Sequence, residues 1–187
     1  MIVLLGGILL LVGAIQGMVA FGRVKDLDER LSALKQELSR LRADLERQRK
    51  AGAVAVKFEA AYLRALDFGP ASASEARRVY AKYAAGGVPS RPEYKTLEDH
   101  LFRVIAREAG RLGMAVHIHA TDGGGGFYSA RGSDPTLLES AFNDSTLRAT
   151  NFVIIHGGWP LTRQTTSMMH KPNVYADISM MTFIAPS

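Results

Sequence analysis

The stretch Ala115-Val-His-Ile-His119, which runs directly into Ala120-Thr-Asp-Gly-Gly-Gly-Gly126, decides the fold class of this chain. It is a short run with β-branched residues that ends on a potential metal ligand and is followed by a loop. Two later runs share this form, namely Asn151-Phe-Val-Ile-Ile-His156 before Gly157-Gly-Trp-Pro160, and Asn173-Val-Tyr-Ala-Asp177 before Ile178-Ser179. Such runs, bounded by Gly or Pro and separated by helical stretches, are typical of parallel strands in βα units. The repeat predicts an α/β fold that forms part of a (β/α)8 barrel.

The polar residues at the ends of these runs are the candidate site residues. In (β/α) barrels the catalytic groups lie at the carboxyl ends of the strands and in the loops that follow. His119, His156 and Asp177 occupy those positions. We therefore expect them at one mouth of the barrel, with Asp177 as easily structural as catalytic.

The alternation of side chains along the first run separates its residues into two faces. Val116 and Ile118 belong to one face, which we expect to pack against the outer helices, and His117 and His119 to the other, inside the barrel. Two inward histidines at this spacing could chelate one metal ion. His119 is the better ligand, because it lies nearer the carboxyl end of the strand.

Upstream of this run, two stretches have helical spacing, Ser74–Ala85 and Glu93–Leu112, joined by a Gly- and Pro-rich loop. A lone histidine in the second of them, His100, is interpreted as structural or exposed. His170 precedes a strand at the opposite end of the barrel and is interpreted in the same way.

Four stretches together resemble the amidohydrolase-related family of metal-dependent hydrolases, in its mononuclear branch, which also contains decarboxylases. They occur in the order of the family and correspond to strands four to seven of its eight. They are Val54-Ala-Val-Lys-Phe-Glu-Ala-Ala-Tyr-Leu-Arg64, Ala115–His119, Phe152–Pro160 and Asn173–Ser179. The resemblance extends from about residue 53 to the end of the chain. Together with the apolar and heptad patterns that precede it, it divides the chain into three predicted segments, residues 1–22, 23–50 and 51–187.

The resemblance implies a metal-dependent hydrolase that cleaves a C–N or C–O bond, or decarboxylates, a small-molecule substrate. It implies a divalent cation, with zinc favoured, held by His119 and, in the chelate alternative, by His117. His156 would orient water or stabilise an oxyanion, with Asp177 as a further catalytic candidate. Lys57 could be a carboxylated metal ligand, a group that binds a substrate carboxylate, or a lysine reaching solvent from a strand end. The His-x-His pair of strand one and the aspartate of strand eight are not found, so a fragment of a longer enzyme is expected.

Residues 1–22 carry no charged side chain and are long enough to span a bilayer as a helix. They lack a basic amino-terminal region, which favours an uncleaved anchor over a signal peptide. Arg23 and Lys25 follow the span, and the positive-inside tendency then places the remaining chain in the cytoplasm. The alternative is a buried helix of a soluble protein.

The next segment, residues 23–50, has a heptad pattern typical of a coiled coil, formed by Val24, Leu27, Leu31, Leu34, Leu38, Leu41 and Leu45. In a parallel homodimer Glu37 would attract Arg42, and Asp44 would attract Arg49. One alternative is a single amphipathic helix packed on its own domain. The coil also supports a second function, that of a membrane-anchored scaffold whose half barrel is inactive.

Charge and cysteine content exclude two classes of function. The formal net charge is +5, but acidic and basic residues are interspersed and no basic block alternates with aromatics, so we expect no nucleic-acid partner. The chain has no cysteine, which excludes disulfides and thiolate chemistry. Any metal would be held by nitrogen and oxygen ligands.

Overall fold

A computed structural model describes residues 28–29, 32–121 and 129–184 of the chain. The anchor expected at residues 1–22 lies outside these ranges, as do Val24, Leu27 and Leu31 of the heptad pattern. Among the helices in the described ranges, none is long and apolar enough to cross a membrane. The anchor and the cytoplasmic location stay predictions.

The core of the fold is a parallel sheet whose four strands lie side by side in chain order. The strands are β1 (Ala55–Phe58), β2 (Ala115–His119), β3 (Phe152–Ile155) and β4 (Val174–Ala176). A helix-containing connection joins each strand to the next. The predicted strands are confirmed, and the α/β arrangement matches a segment of a TIM-type barrel.

The helices are α1 (32–50), α2 (Ala73–Tyr83), α3 (Arg91–Arg111), α4 (Glu139–Phe142), α5 (Thr162–Met168) and α6 (Met181–Ile184). The two helices predicted between β1 and β2 are confirmed as α2 and α3, with ends shifted by one or two residues. Each begins at a serine followed three residues later by a glutamate, Ser72 with Glu75 and Ser90 with Glu93. The glutamate side chain accepts a hydrogen bond from the serine backbone N–H, a donor that has no partner within the helix.

The two faces of the sheet differ as the alternation predicted. On one face, Val116 and Ile118 are fully buried in a core with Phe102, Ala106 and Ala109 of α3. The other face carries a row of residues that are in register across the four strands, Lys57, His117, Val153 and Tyr175. Tyr175 is 49% exposed, and parallel sheets are usually covered on both faces. This open face is the side that a closed barrel would enclose.

The helix α1 packs on its own domain through ion pairs and a hydrogen bond to α3 and the residue after it. Arg42 Nε lies 2.9 Å from Glu108 Oε1, and an Arg111 guanidinium nitrogen lies 2.6 Å from Glu46 Oε1. Arg49 Nε donates to the carbonyl of Leu112 over 3.1 Å. Arg42 and Arg49 were expected to pair with acidic residues of a second copy, yet both bind within the chain.

The leucine stripe of α1 is likewise shielded within the single chain. Leu34 is buried, and Leu38, Leu41 and Leu45 are partly buried, whereas most of the residues between them are exposed. These contacts favour the alternative of a single helix packed on its own domain. A coiled coil is not shown, and a homodimer through α1 has no support in the structure.

Candidate active site at the carboxyl ends of the strands

The structure brings three of the predicted site residues together at one edge of the sheet. His119 is the last residue of β2, His156 follows β3, and Asp177 follows β4. The ring centroids of His119 and His156 are 5.2 Å apart, and the rings meet edge to face at 82°. Asp177 Oδ1 accepts a hydrogen bond of 3.0 Å from the backbone N–H of His156. The convergence follows from parallel pairing, because the carboxyl ends of parallel strands meet at the same edge.

The imidazole of His119 is buried with one nitrogen unused. The residue is 4% exposed, and Nε2 has no hydrogen-bond partner within the described part of the chain. Burial lowers the pKa of this histidine, and the nearby His156 and Lys57 lower it further, against a smaller opposing effect of Glu59. His119 is therefore held neutral, which is the form that can bind a metal ion.

The tautomer of His156 is set by its neighbours. Nδ1 lies 2.8 Å from the carbonyl oxygen of Ser179, which can only accept, so Nδ1 carries the proton. The Ser179 hydroxyl, 3.1 Å from Nδ1, donates its own proton to Asp177 Oδ1 over 2.6 Å and can therefore accept as well. With Nδ1 protonated in the neutral ring, Nε2 of His156 holds the lone pair.

The carboxylate of Asp177 accepts hydrogen bonds from the residues around it. Burial raises the pKa of the carboxyl, but hydrogen bonds from the Ser179 side chain and from the backbone N–H groups of His156 and Ser179 outweigh it, and the pKa lies below the usual range. The ionised carboxylate ties the loop after β3 to the loop after β4. Ser179 was not predicted as a site residue. Its only signal in the sequence is its position two residues after an aspartate, a spacing that favours a local turn with such a hydrogen bond.

The loop after β3 turns sharply through three consecutive residues in the left-handed region, with φ of 59° at His156, 58° at Gly157 and 64° at Gly158. Such φ values are unstrained for glycine but costly for a residue with a side chain, so His156 is held there by its surroundings. The backbone N–H of Gly157 donates to the carbonyl of Asp177 over 2.7 Å. The two glycines thus allow the chain to deliver His156 to the sheet edge.

The other predicted site residues lie nearby but separately. His117 is level with Lys57 in the row below His119, on the open face of the sheet. The Lys57 ammonium lies 3.4 Å from Glu59 Oε1, and its side chain is 46% exposed.

His100 and His170 lie away from the cluster, as expected. His100 Nδ1 is 3.3 Å from the carbonyl of Ala71, and His170 is exposed after α5. A residue that the sequence did not single out, Tyr62, lies against His119 with a ring-centroid distance of 4.4 Å. It belongs to a 3₁₀ turn, Ala60–Tyr62, directly after β1.

Comparison with known protein families shows the family to which this chain belongs. The family model of the amidohydrolases matches residues 34–186, which is most of the chain and includes all of the clustered residues. The chain belongs to the amidohydrolase family. The resemblance stated from the four strand motifs is thereby confirmed, and the match begins within α1, the helix that packs on α3.

A solved structure shares the fold of this chain. It is a crystal structure from Lactobacillus casei ATCC 334 of a protein whose name assigns it to the metal-dependent hydrolases. The TM-score is 0.64 at 23% sequence identity, a level at which the likeness shows the fold. The alignment covers 78% of this chain, which spans 38% of the length of that chain. No curated protein sequence matches.

The residues present fit one part of a metal site. The buried, unpartnered Nε2 of His119 is the kind of atom that a bound metal ion would satisfy. Within residues 28–29, 32–121 and 129–184, however, no three His, Asp or Glu side chains are grouped closely enough to hold an ion. A chelate formed by His117 and His119 stays a prediction.

The environment of His119 predicts how it titrates. In the metal-free protein we expect the ring-proton resonances of His119, assigned with a His119→Gln variant, to titrate with a midpoint below the usual 6.5. The variant Lys57→Met removes a cation and should raise the pKa, whereas Glu59→Gln should lower it. NMR titration of the three proteins measures this, and a midpoint at or above 6.5 in the unmodified chain would contradict it.

The same shift has a consequence for stability. Because the pKa of His119 is lower in the folded chain than in the unfolded chain, the unfolded chain binds more protons as the pH falls below 6.5. The contribution of His119 to the free energy of unfolding is therefore present above that pH and decreases as the pH falls through the unfolded and then the folded pKa.

Proposed function

We propose that this chain contributes to the active site of a metal-dependent hydrolase that acts on a small molecule. The reaction class is hydrolysis of a C–N or C–O bond, or decarboxylation at the same kind of site. One observation carries the proposal, namely the buried and unpartnered Nε2 of His119 beside His156, at the strand ends of an amidohydrolase-family fold.

His119 is the metal ligand in this proposal, through Nε2. Zinc is favoured among divalent ions, because the candidate ligands are imidazole nitrogens and because the family resemblance points to it. When bound, such an ion lowers the pKa of its water to about 7 and polarises a substrate carbonyl. His117 is the second candidate ligand.

His156 is the proton acceptor of the site. Its Nδ1–H is held by Ser179, so the lone pair on Nε2 is free to take a proton from water or to accept a hydrogen bond from the substrate. The Asp177 carboxylate stays ionised nearby and stabilises the positive charge that the ring gains in this step. Asp177 thus acts through His156 and Ser179 rather than on the substrate.

Lys57 is the candidate for substrate binding. It lies on the open face of the sheet in the row below His119, and its ammonium can neutralise a carboxylate of the substrate. The distance of 3.4 Å to Glu59 leaves this ion pair loose enough to exchange for a substrate anion. A carboxylated Lys57 that binds metal is the alternative role.

Metal titration tests the proposal. The full chain is prepared metal-free and titrated with Zn²⁺ by calorimetry, alongside His119→Ala and the control His100→Ala, which removes a histidine outside the cluster. We expect His119→Ala to lose roughly 100-fold or more in zinc affinity, because it removes a ligand and not a supporting group. We expect His100→Ala to retain the affinity. Stoichiometric zinc in His119→Ala, or none in the unmodified chain, would overturn the assignment.

A further inference from the structure

The orientation of the His119 ring is fixed by packing more than by hydrogen bonding at Nε2. That nitrogen is buried without a partner in the described residues. A hydrogen bond at Nε2 therefore does not orient the ring, and a rotated ring would turn this nitrogen away from the cluster. The site therefore needs a contact that fixes the plane of this ring.

Tyr62 supplies that contact. Its ring lies over the imidazole of His119 at a centroid distance of 4.4 Å and an interplanar angle of 24°, within the range of offset aromatic stacking. The His156 ring meets the same imidazole edge to face at 5.2 Å. One neighbour thus covers a face of the ring and the other contacts it edge to face, which leaves little freedom for rotation.

Tyr62 is itself held in place from both sides of the turn. The backbone N–H of Tyr62 donates to the carbonyl of Glu59 over 3.2 Å, which closes the turn onto the end of β1. Two residues later, Arg64 binds two carboxylates of α3, Glu98 at 2.9 Å and Asp99 at 2.7 Å.

These ion pairs of Arg64 with α3, here called the Arg64 clamp, are well shielded from water. Its side chain is 11% exposed and that of Asp99 is 7% exposed, so these charge-assisted bonds are only weakly screened. The guanidinium also lies 4.4 Å from the centroid of the Phe68 ring. Since α3 packs against β2, the clamp fixes the turn that carries Tyr62 relative to the strand that carries His119.

We propose that Tyr62 is the positioning residue of this site: its ring, held by the clamp between Arg64 and α3, fixes the imidazole plane of His119 and shields Nε2 from water. The role requires the flat ring of Tyr62 and not its hydroxyl. It rests on the proposed function only for its effect on metal binding.

Chemical acylation of the full, metal-free chain tests the role of Tyr62. The rate at which diethylpyrocarbonate modifies His119 is measured by mass spectrometry in Tyr62→Phe, which keeps the ring, in Tyr62→Leu, which removes it, and in the control Tyr94→Leu on the exposed surface of α3. We expect Tyr62→Leu to react roughly two- to tenfold faster than the unmodified chain, from the loss of one stacking contact. Tyr62→Phe and Tyr94→Leu should react at the original rate. Equal rates in all four proteins would overturn the proposal.

A second measurement on the unmodified chain covers the case in which Tyr62→Leu does not fold. Nuclear Overhauser contacts between the ring protons of Tyr62 and His119 are expected in the metal-free protein, and their absence would refute the stack. Zinc affinity then separates this role from the proposed function. If the unmodified chain binds zinc, Tyr62→Leu should weaken it and Tyr62→Phe should not. If it binds none, the proposed function fails, while acylation still decides the role of Tyr62.

Discussion

Replacing Arg103 with methionine is expected to lower the free energy of unfolding by about 3–5 kcal/mol, the usual effect of breaking a buried ion pair. The Arg103 side chain is 8% exposed and pairs with Asp144. It also donates to the carbonyls of Phe68 and Gly69, each over 2.9 Å, and to Ser140 Oγ over 3.2 Å. Methionine fills most of the volume but leaves a carboxylate and two backbone carbonyls without these partners.

Urea denaturation of Arg103→Met and of a matched control, Arg107→Met, measures this effect. Arg107 lies one helical turn further along α3, is exposed and bonds Thr146 Oγ1 over 2.9 Å. We expect the control to lose about 1 kcal/mol or less, as surface polar contacts usually do. A loss of similar size in both variants would show that the Arg103 cluster does not hold the segment after β1 against α3 and α4.

Replacing Gly158 with alanine is expected to lower the free energy of unfolding through two separate effects, whereas Gly157→Ala should show only one of them. At Gly158, φ is 64°, and an added Cβ would lie 2.1 Å from Thr165 Oγ1 and 2.8 Å from Pro135 Cγ. A residue that carries a side chain loses about 1–2 kcal/mol when it adopts this left-handed backbone conformation. The overlap adds about 1–3 kcal/mol, as overpacking of a tight site does.

Gly157 is the matched control for that overlap. Its φ is 58°, but a Cβ there would meet no atom closer than 3.6 Å, the Met181 sulfur. Gly157→Ala should therefore show the backbone strain alone. Comparison of the two unfolding free energies isolates the overlap, and the loop after β3 is packed differently from this description if the two variants are equally stable.

The parallel sheet was predictable from sequence because its signals are local. The run Ala115–His119 shows alternation, β-branched residues and a glycine-rich end within a few positions, and the strand forms where these signals place it. The convergence of His119, His156 and Asp177 was predictable for a topological reason, since residues that end neighbouring parallel strands share an edge.

Two contributors to the site could not be found in this way. Tyr62 contacts His119 because a 3₁₀ turn folds back over the end of β1, and no periodic pattern in the sequence indicates that turn. Ser179 contacts His156 through a carbonyl and a hydroxyl, and its backbone carbonyl is common to every residue type. Contacts of this kind depend on backbone path and not on residue pattern.

The role of α1 shows a different limit of sequence reasoning. A leucine stripe with heptad spacing is the same whether the helix packs on a second copy or on its own domain. The choice depends on charges far away in the chain, since Arg42 pairs with Glu108 on α3. The heptad pattern therefore predicted the helix and its buried side, but not the surface against which it packs.

The most direct test of the account is to locate bound zinc by anomalous scattering at the zinc edge, in crystals of the full chain grown with Zn²⁺. We expect a peak at the carboxyl end of β2, adjacent to Nε2 of His119 and beside the ring of His156, and we expect no such peak in crystals of His119→Ala. A zinc peak that lies elsewhere, or that persists at the same place in the variant, would contradict the assignment of this edge of the sheet as the metal site.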